Sequence, residues 1–535
     1  MSLASFRPST PLVLAMLAVS AAGCSSTDDS DDRHPGYADG GDYDPSDPSG
    51  DAGDEDEPAG TSGGEDGDDG AGPDEPPPEP DDDGIDNASE EQPLACDAQT
   101  DVTLFLSPDD SNSMSSPVQV REAVLSGWGS VQSVAIRTWE FFNYYDFGYP
   151  AAEPGGLVVT PSLAKDESGA EGDYLLQIGI SSEQLTNELR PPMNLTLVLD
   201  TSGSMAGTAM DMLKETGFAI AASLNEGDTV SMVTWSTENA VVLGGYHVSG
   251  PNDPLLLAKL DELEPGGGTD LHGGLVAGYG LAEQVFAADR INRIVLISDG
   301  GANAGITDID LIAEQSGTND QDGIYMVGVG VGDASTYHDD LMDAVTDAGK
   351  GASVFIATED EAWSVFHDDF ISTLAVAARD VQVQLDMPPG FEIVRTSAEE
   401  ISTNASEVEP QHLAPNDAMV FHQQLHTCAP ELATDDAAIT VTVRWRDAVT
   451  FEPRELVHQA AIGELLAAEA DGGRLLKGAA VYAYAESLKA YKRADADGRT
   501  VTVQGAFAAL EQAEAALPGD TDLAEIRSVL EALME

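Results

Sequence analysis

Three short segments of this chain carry oxygen ligands at strand ends. Asp200-Thr201-Ser202-Gly203-Ser204 follows the apolar run Leu195 to Leu199. Gly266-Gly267-Gly268-Thr269 stands just before a run of helical spacing, and Asp299-Gly300 closes the apolar run that starts at Ile294. Asp200, Ser202, Ser204, Thr269 and Asp299 amount to two carboxylates and three hydroxyls, with no His or Cys among them. Hard oxygens with few formal charges suit Mg2+, which wants octahedral geometry and keeps several waters; Ca2+ or Mn2+ can substitute. Two carboxylates, partly acting through water, screen such an ion incompletely. An open coordination position then attracts an outside carboxylate, such as an Asp or Glu of a protein partner. The plain alternative is a set of polar turns that hold no ion.

The elements that must position these groups alternate in type. Short apolar runs at Leu195–Leu199, Ile294–Ser298 and Ile324–Val329 read as strands buried on both faces of a parallel sheet. Asp228–Trp235, Ala240–Leu243 and Ser353–Ile356 add further strands. Helical spacing predicts helices over Met210–Leu224, Leu255–Leu263, Leu271–Phe286, Ile309–Gln315, Asp339–Ala348 and Asp360–Leu374. Strand–helix alternation implies an α/β fold, a doubly wound and mostly parallel sheet with helices on both faces. In such sheets ligands bind beyond the carboxyl ends of the strands, where all three segments fall.

Asp200-x-Ser202-x-Ser204, Thr269 and Asp299-Gly300 resemble the metal-ion-dependent adhesion site of von Willebrand factor type A domains. The resemblance implies that Ser202, Ser204 and Thr269 contact the ion by hydroxyl, and that Asp200 and Asp299 act directly or through water. Around this domain the chain is similar to a bacterial envelope lipoprotein subfamily of these proteins, more loosely outside residues 190–375. Arg137-Thr138-Trp139-Glu140-Phe141-Phe142-Asn143-Tyr144-Tyr145 resembles its N-terminal region, as Tyr174–Ile180 and Pro191-Pro192-Met193-Asn194 resemble its run into the first strand. Gly478–Leu533 resembles its C-terminal helices. The aromatic cluster reads as core rather than as a ligand site, because scattered aromatics usually pack.

Beyond the α/β domain the period changes. Val381–Leu385 and Ile439–Val443 alternate polar with apolar, the mark of half-buried antiparallel strands. With Leu175–Ile180 they predict a β-sandwich built from both flanks, the α/β domain being inserted between them. Cys96 stands in one flank and Cys428 in the other, and an oxidising envelope would join them once Cys24 is lipidated; two free buried thiols are the alternative. Residues 465–535 are rich in Ala, Leu and Glu at helical spacing and predict two or three helices, broken by a turn at Asp495, Asp497 and Gly498. His422 and His426 are four apart, but Gln423 replaces the Glu of a zinc protease and Met419-Val420-Phe421 favours strand.

Residues 1–24 read as a signal peptide: Arg7, an apolar stretch from Pro11 to Ala22, then Ala21-Ala22-Gly23-Cys24. The last four resemble a bacterial lipobox, which implies lipidation of Cys24 and a lipid anchor in the cell envelope, on the periplasmic or outer-membrane surface. Secretion with cleavage near Ala22 is the alternative. Residues 25–95 hold 26 of the chain's 96 acids beside one base, Arg33, and almost nothing apolar. Such a segment buries too little surface to fold and reads as a disordered spacer. Gly60-Thr61-Ser62-Gly63-Gly64 lacks the strand and helix of a nucleophile elbow, and Asp81, Asp83 and Asp86 lack the closing Glu of a calcium loop. The expected order is therefore 1–24 signal peptide, 25–95 linker, 96–190 flanking region, 191–375 α/β domain, 376–464 β-rich region and 465–535 helical region.

Composition narrows the function. Twenty-three Lys and Arg against 96 acids leave a formal charge of -73, which argues against a nucleic-acid binder. Three Cys exclude a disulfide-rich scaffold and a four-cysteine zinc site. The favoured reading is a lipid-anchored protein-binding module, for adhesion or assembly, in which a partner carboxylate completes the metal shell. A scaffold whose ion merely braces loops is the second reading. A metal-dependent hydrolase is the third: the chain has no phosphate-binding Gly-x-x-x-x-Gly-Lys loop, no second Asp two residues after Asp200, and no His or Lys placed beside the set as a base.

Overall fold

The computed structural model describes residues 96–108, 113–127, 131–166, 169–301, 323–333, 337, 339–468 and 472–534. The expected signal peptide with Cys24, the linker with its two motif-like stretches, and the helix expected at Ile309–Gln315 lie outside them. In chain order the described strands are β1 (Val102–Ser107), β2 (Val158–Lys165), β3 (Asp173–Ser181), β4 (Met193–Asp200), β5 (Thr229–Trp235), β6 (Asn239–His247), β7 (Ile291–Ser298), β8 (Tyr325–Val331) and β9 (Ser353–Ile356). There follow β10 (Ala378–Met387), β11 (Phe391–Thr396), β12 (Glu400–Ser402), β13 (Gln411–Leu413), β14 (Ala418–Thr427), β15 (Ala438–Asp447) and β16 (Pro453–Ala461).

One sheet runs β6-β5-β4-β7-β8-β9 and is parallel except for β6, which pairs antiparallel with β5 at the edge. Every residue of β4 and β8 is buried, as a strand covered on both faces requires. The helices Thr208–Ser223 and Pro254–Asp261 pack on one face around Leu213, Ile220, Leu256 and Leu260. The helices Leu271–Val285 and Asp339–Ala348 cover the other around Leu275, Tyr279, Met342 and Val345. Two glycines set the depth of the Leu271–Val285 helix. A Cβ on Gly274 would stand 2.6 Å from Trp235 Cγ, and one on Gly278 would overlap Val198 Cγ2.

The segment expected as a single helix over Asp360–Leu374 is broken. It forms Glu359–Trp363, a π turn at Ser364–Asp368 and a short helix Phe370–Leu374. Side-chain hydroxyls take the carbonyls that the irregular turn frees: Ser223 Oγ donates to Phe366 O at 3.0 Å, and Thr373 Oγ1 to Val365 O at 3.0 Å. The break turns Val365, Phe366, Phe370 and Leu374 toward one core.

Residues 96–190 do not fold as a body of their own. β1 enters a sheet ordered β12-β1-β10-β15-β16, with β13 on β10, and β2 and β3 enter a second ordered β11-β14-β3-β2. Leu104, Leu176, Ile178, Val383, Leu385, Phe421 and Val441 fill the space between the two sheets. The sandwich is thus built from both flanks of the α/β domain, and Cys96 is bonded to Cys428 across 332 residues. The helices Thr138–Tyr144, Gly472–Arg493, Ala496–Ala516 and Thr521–Ala532 enclose a third core with Phe141, Tyr484, Leu510 and Ile526. The break expected around Asp495, Asp497 and Gly498 falls earlier: Asp495 caps the helix by accepting from Gly498 N–H at 2.9 Å, so Asp497 and Gly498 lie in its first turn. His422 and His426 stand on β14, not on a helix, and bond Gln177 and Asp173 through Nδ1.

Candidate metal centre

Asp200 is the last residue of β4, and β4 lies between its chain successors β5 and β7. This is the place in an open α/β sheet where connections leave in opposite directions and a crevice opens. Asp200 is fully buried. Its Oδ1 accepts from Ser202 N–H at 2.8 Å and its Oδ2 from Ser298 Oγ at 2.7 Å. Ser202 Oγ and Ser204 Oγ stand 3.0 Å apart, the former buried and the latter exposed.

The glycine-rich segment is laced to the first loop. Gly266 N–H donates to Thr201 O at 2.7 Å and Gly203 N–H to Gly267 O at 3.2 Å. Gly267 has φ +92°, a conformation glycine adopts without penalty. Thr237 Oγ1 accepts from Gly268 N–H at 2.6 Å and Ser236 O from Asp270 N–H at 2.9 Å, so buried Thr269 is pinned on both sides. Asp270 then caps the Leu271–Val285 helix through Gly273 N–H. Asp299 follows β7 and is half-buried; its Oδ1 accepts from Gly301 N–H at 3.2 Å. A Cβ on Gly301 would lie 3.4 Å from Asp299 Oδ1 and 4.0 Å from Thr269 Cγ2, which places the second and third segments side by side.

Burial pushes the Asp200 carboxyl up to about 6, and the charge of Asp299 adds to the rise, against the hydrogen bonds from Ser298 and Ser202. Among the described residues neither Asp200 nor Asp299 forms an ion pair. Nor do three or more His, Cys, Asp or Glu converge as a metal cluster among the described residues. The donor set is instead a pair of carboxylates with hydroxyls, anionic and uncompensated. Its chemistry fits a hard divalent cation, which Asp200, Ser202, Ser204, Thr269 and Asp299 would hold. Sequence reading missed two supporting residues. Ser298 bridges the site, donating to Asp200 while its Oγ accepts from Gly300 N–H at 3.0 Å. Its only signal was a hydroxyl ending an otherwise apolar buried strand. Thr237 gave no signal at all, since its partner lies 31 residues away.

A family model, von Willebrand factor type A domain, matches residues 195–302, from β4 through the last of the three loops. The chain carries a von Willebrand factor type A domain. In the structure the sheet of this domain continues past the matched span through β8 and β9. The uncharacterized protein YfbK of Escherichia coli (strain K12) is 28% identical over 266 residues, 48% of this chain and 46% of its own length. The uncharacterized protein sll0103 of Synechocystis sp. is 25% identical over 214 residues, 40% of this chain and 49% of its own. The chain thus spans about half the length of these curated relatives. A solved von Willebrand factor type A structure from Catenulispora acidiphila has 15% identity and a TM-score of 0.45, covering 67% of this chain and 87% of its own.

Proposed function

We propose that the von Willebrand A domain is a divalent-metal-dependent protein-binding module for adhesion or assembly. The observation that carries this reading is Asp200: a fully buried carboxylate with no cationic partner among the described residues, at the switch point of the sheet, beside a second carboxylate and exposed Ser204. A bound Mg2+, with Ca2+ or Mn2+ as substitutes, would supply positive charge and an open position for a carboxylate oxygen of a partner's Asp or Glu. Asp200 and Asp299 would hold the ion's charge, and Ser202, Ser204 and Thr269 would offer hydroxyl oxygens. Ser298 and the Thr237 clamp would keep those groups in place. The loops around the site, rather than the ion, would select the partner, because the acidic surface repels unselected acidic proteins. Hydrolysis finds no support in the site: among the described residues no His or Lys is hydrogen-bonded to Asp200, Ser202, Ser204 or Asp299 as a base would be.

Anchoring belongs to the same proposal. Lipidation of Cys24 would tether the module to a membrane, and among the described residues no helix is long and apolar enough to cross one. The deciding experiment measures the thermal midpoint of the chain in EDTA and with Mg2+, Ca2+ or Mn2+, beside Asp200→Ala. A ligand that binds only the native state must raise the midpoint. A rise abolished by Asp200→Ala, together with a partner captured in Mg2+ and released by EDTA, is expected. Absence of any rise in the wild type would sink the metal reading. A rise with metal-independent capture would favour the scaffold reading.

A further inference from the structure

A cleft of about 360 Å³ opens between the segment Phe142–Tyr149, the ends of β3 and β14 and the helix Phe370–Leu374. Its size lies in the range of roughly 300–1,000 Å³ that small-molecule sites occupy, and junctions of this kind are where such sites collect. It lies among residues that the metal centre does not use.

The lining has a definite chemistry. Asp146, Asp369 and Asp417 contribute three carboxylates, and among the described residues that line the cleft there is no Lys, Arg or His. Asp146 and Asp369 form no ion pair among the described residues. The nearest bases are already engaged: Lys477 with Asp520, Asp522 and the Asp146 carbonyl at 2.7 Å, Arg474 with the carbonyls of Phe147 and Gly148, and Arg121 with Glu361 and Glu525. Partial burial raises the Asp369 carboxyl above its ordinary value, helped by the charges of Asp368, Glu361 and Asp146, so carboxylate charge gathers on this side of the cleft.

The wall behind these carboxylates is aromatic, with Lys477 at 5.9 Å from the Phe147 ring centre and Arg474 at 5.4 Å from that of Tyr149. Phe142 is stacked between Phe147, at 5.6 Å, and His422, at 5.9 Å, and Tyr145 packs edge-on against Tyr144 at 5.1 Å. An apolar wall faced by carboxylates that do not converge is a poor cage for a bare metal ion, which wants several oxygens at short range. It matches an ion that carries both positive charge and apolar surface. We infer that this cleft binds a small organic ammonium ion, with Asp369 and Asp146 balancing its charge and the aromatic wall taking its hydrocarbon part. The inference is independent of the metal reading.

Isothermal titration calorimetry on the full chain in EDTA, which removes divalent metal from the comparison, tests it. The probes are choline, ethanolamine and 3,3-dimethylbutan-1-ol, the last an uncharged isostere of choline. Choline or ethanolamine is expected to bind, and the neutral isostere to bind about tenfold more weakly or worse. Asp369→Asn and Asp146→Asn are each expected to weaken the ammonium probe about tenfold. Both keep the shape of an exposed side chain, and a thermal midpoint within roughly 2 °C of wild type verifies the fold. Ala151→Phe, which narrows the cleft, should also weaken binding. Displacement of the probe by phosphatidylcholine vesicles would identify the ligand as a lipid headgroup; retention of the probe would identify it as a free small molecule. No binding of either ammonium probe, equal binding of the neutral isostere, or unchanged affinity in both Asn variants would overturn the proposal.

Discussion

Asp200 combines two roles that oppose each other in the metal-free chain. Its carboxyl titrates near 3.8 when solvated and is pushed up to about 6 by burial. A raised folded value means that its contribution to stability is full below about pH 4 and is lost as pH rises through about 6. At neutral pH the loss amounts to about 3 kcal/mol. Urea unfolding in EDTA should therefore show wild type losing more stability between about pH 4 and pH 7 than Asp200→Asn does. Added Mg2+ should restore the wild type at pH 7 and leave the variant unchanged. Equal pH dependence in the two proteins would refute this account. Gln423 presents a simpler case. It alternates with Phe421 and Leu425 on the face of β14 that looks into the sandwich, it is fully buried, and neither amide atom has a hydrogen-bond partner. Gln423→Leu should stabilise the protein by about 1–3 kcal/mol, read as a higher urea midpoint at unchanged slope. In the sequence Gln423 stood out only as the residue in place of a zinc protease's Glu; its burial depends on which face of β14 the second sheet covers.

At the scale of elements, the helix Leu271–Val285 couples packing to the candidate site. It begins at the Asp270 cap, one residue after Thr269, and lies close on the sheet because Gly274 and Gly278 offer no side chain to Trp235 and Val198. Glycine inside a helix costs about 1 kcal/mol against alanine; of the four glycines in this helix, close approach accounts for Gly274 and Gly278, and nothing in the structure explains Gly280. Gly278→Ala should lower stability by about 1–3 kcal/mol despite its better helix propensity, since the methyl overlaps Val198. By lifting the helix it should also weaken the midpoint shift that Mg2+ produces. A stabilised Gly278→Ala protein would show that the helix rides higher than described. Much of the alternation of strands and helices was legible in the sequence, because runs such as Ile294–Ile297 in β7 are continuous and apolar; the helix expected at Ile309–Gln315 lies outside the described residues. The π turn at Ser364–Asp368 was not, because it is held by hydroxyls of Ser223 and Thr373, the first distant in sequence.

For the molecule as a whole, charged residues join the parts. Arg137, from the N-terminal flank, is buried against Asp339 at 2.5 Å, Asp343 at 3.2 Å and Glu140 at 3.5 Å. Asp339 and Asp343 belong to a helix of the von Willebrand A domain, and Gln119 Nε2 also donates to Asp339 at 2.7 Å. Arg121 likewise reaches Glu361 of that domain and Glu525 of the C-terminal helices. Arg137→Met should cost about 3–5 kcal/mol, because it strands Glu140 and Asp339 in a buried place. Adding Glu140→Gln and Asp339→Asn should recover most of the loss, and denaturant unfolding of the single and triple variants reads the difference. A single variant as stable as wild type would mean that water already compensates these carboxylates.

The residue types of the candidate site, their order along the chain and the elements they adjoin were determined by the sequence alone, since Asp-x-Ser-x-Ser, Thr269 and Asp-Gly are local patterns attached to local periodic runs. Tertiary structure decided what those patterns experience. Asp200 is buried because β5 and β7 close on both sides of β4, and Ser298 reaches it across 98 residues of chain. Thr269 is held by a clamp from another turn, and the cleft near Asp369 exists only where segments more than 200 residues apart meet. Burial, field and hydrogen-bond partnership depend on what packs nearby in space, and that is set by the cooperative closing of three cores rather than by any one stretch of chain.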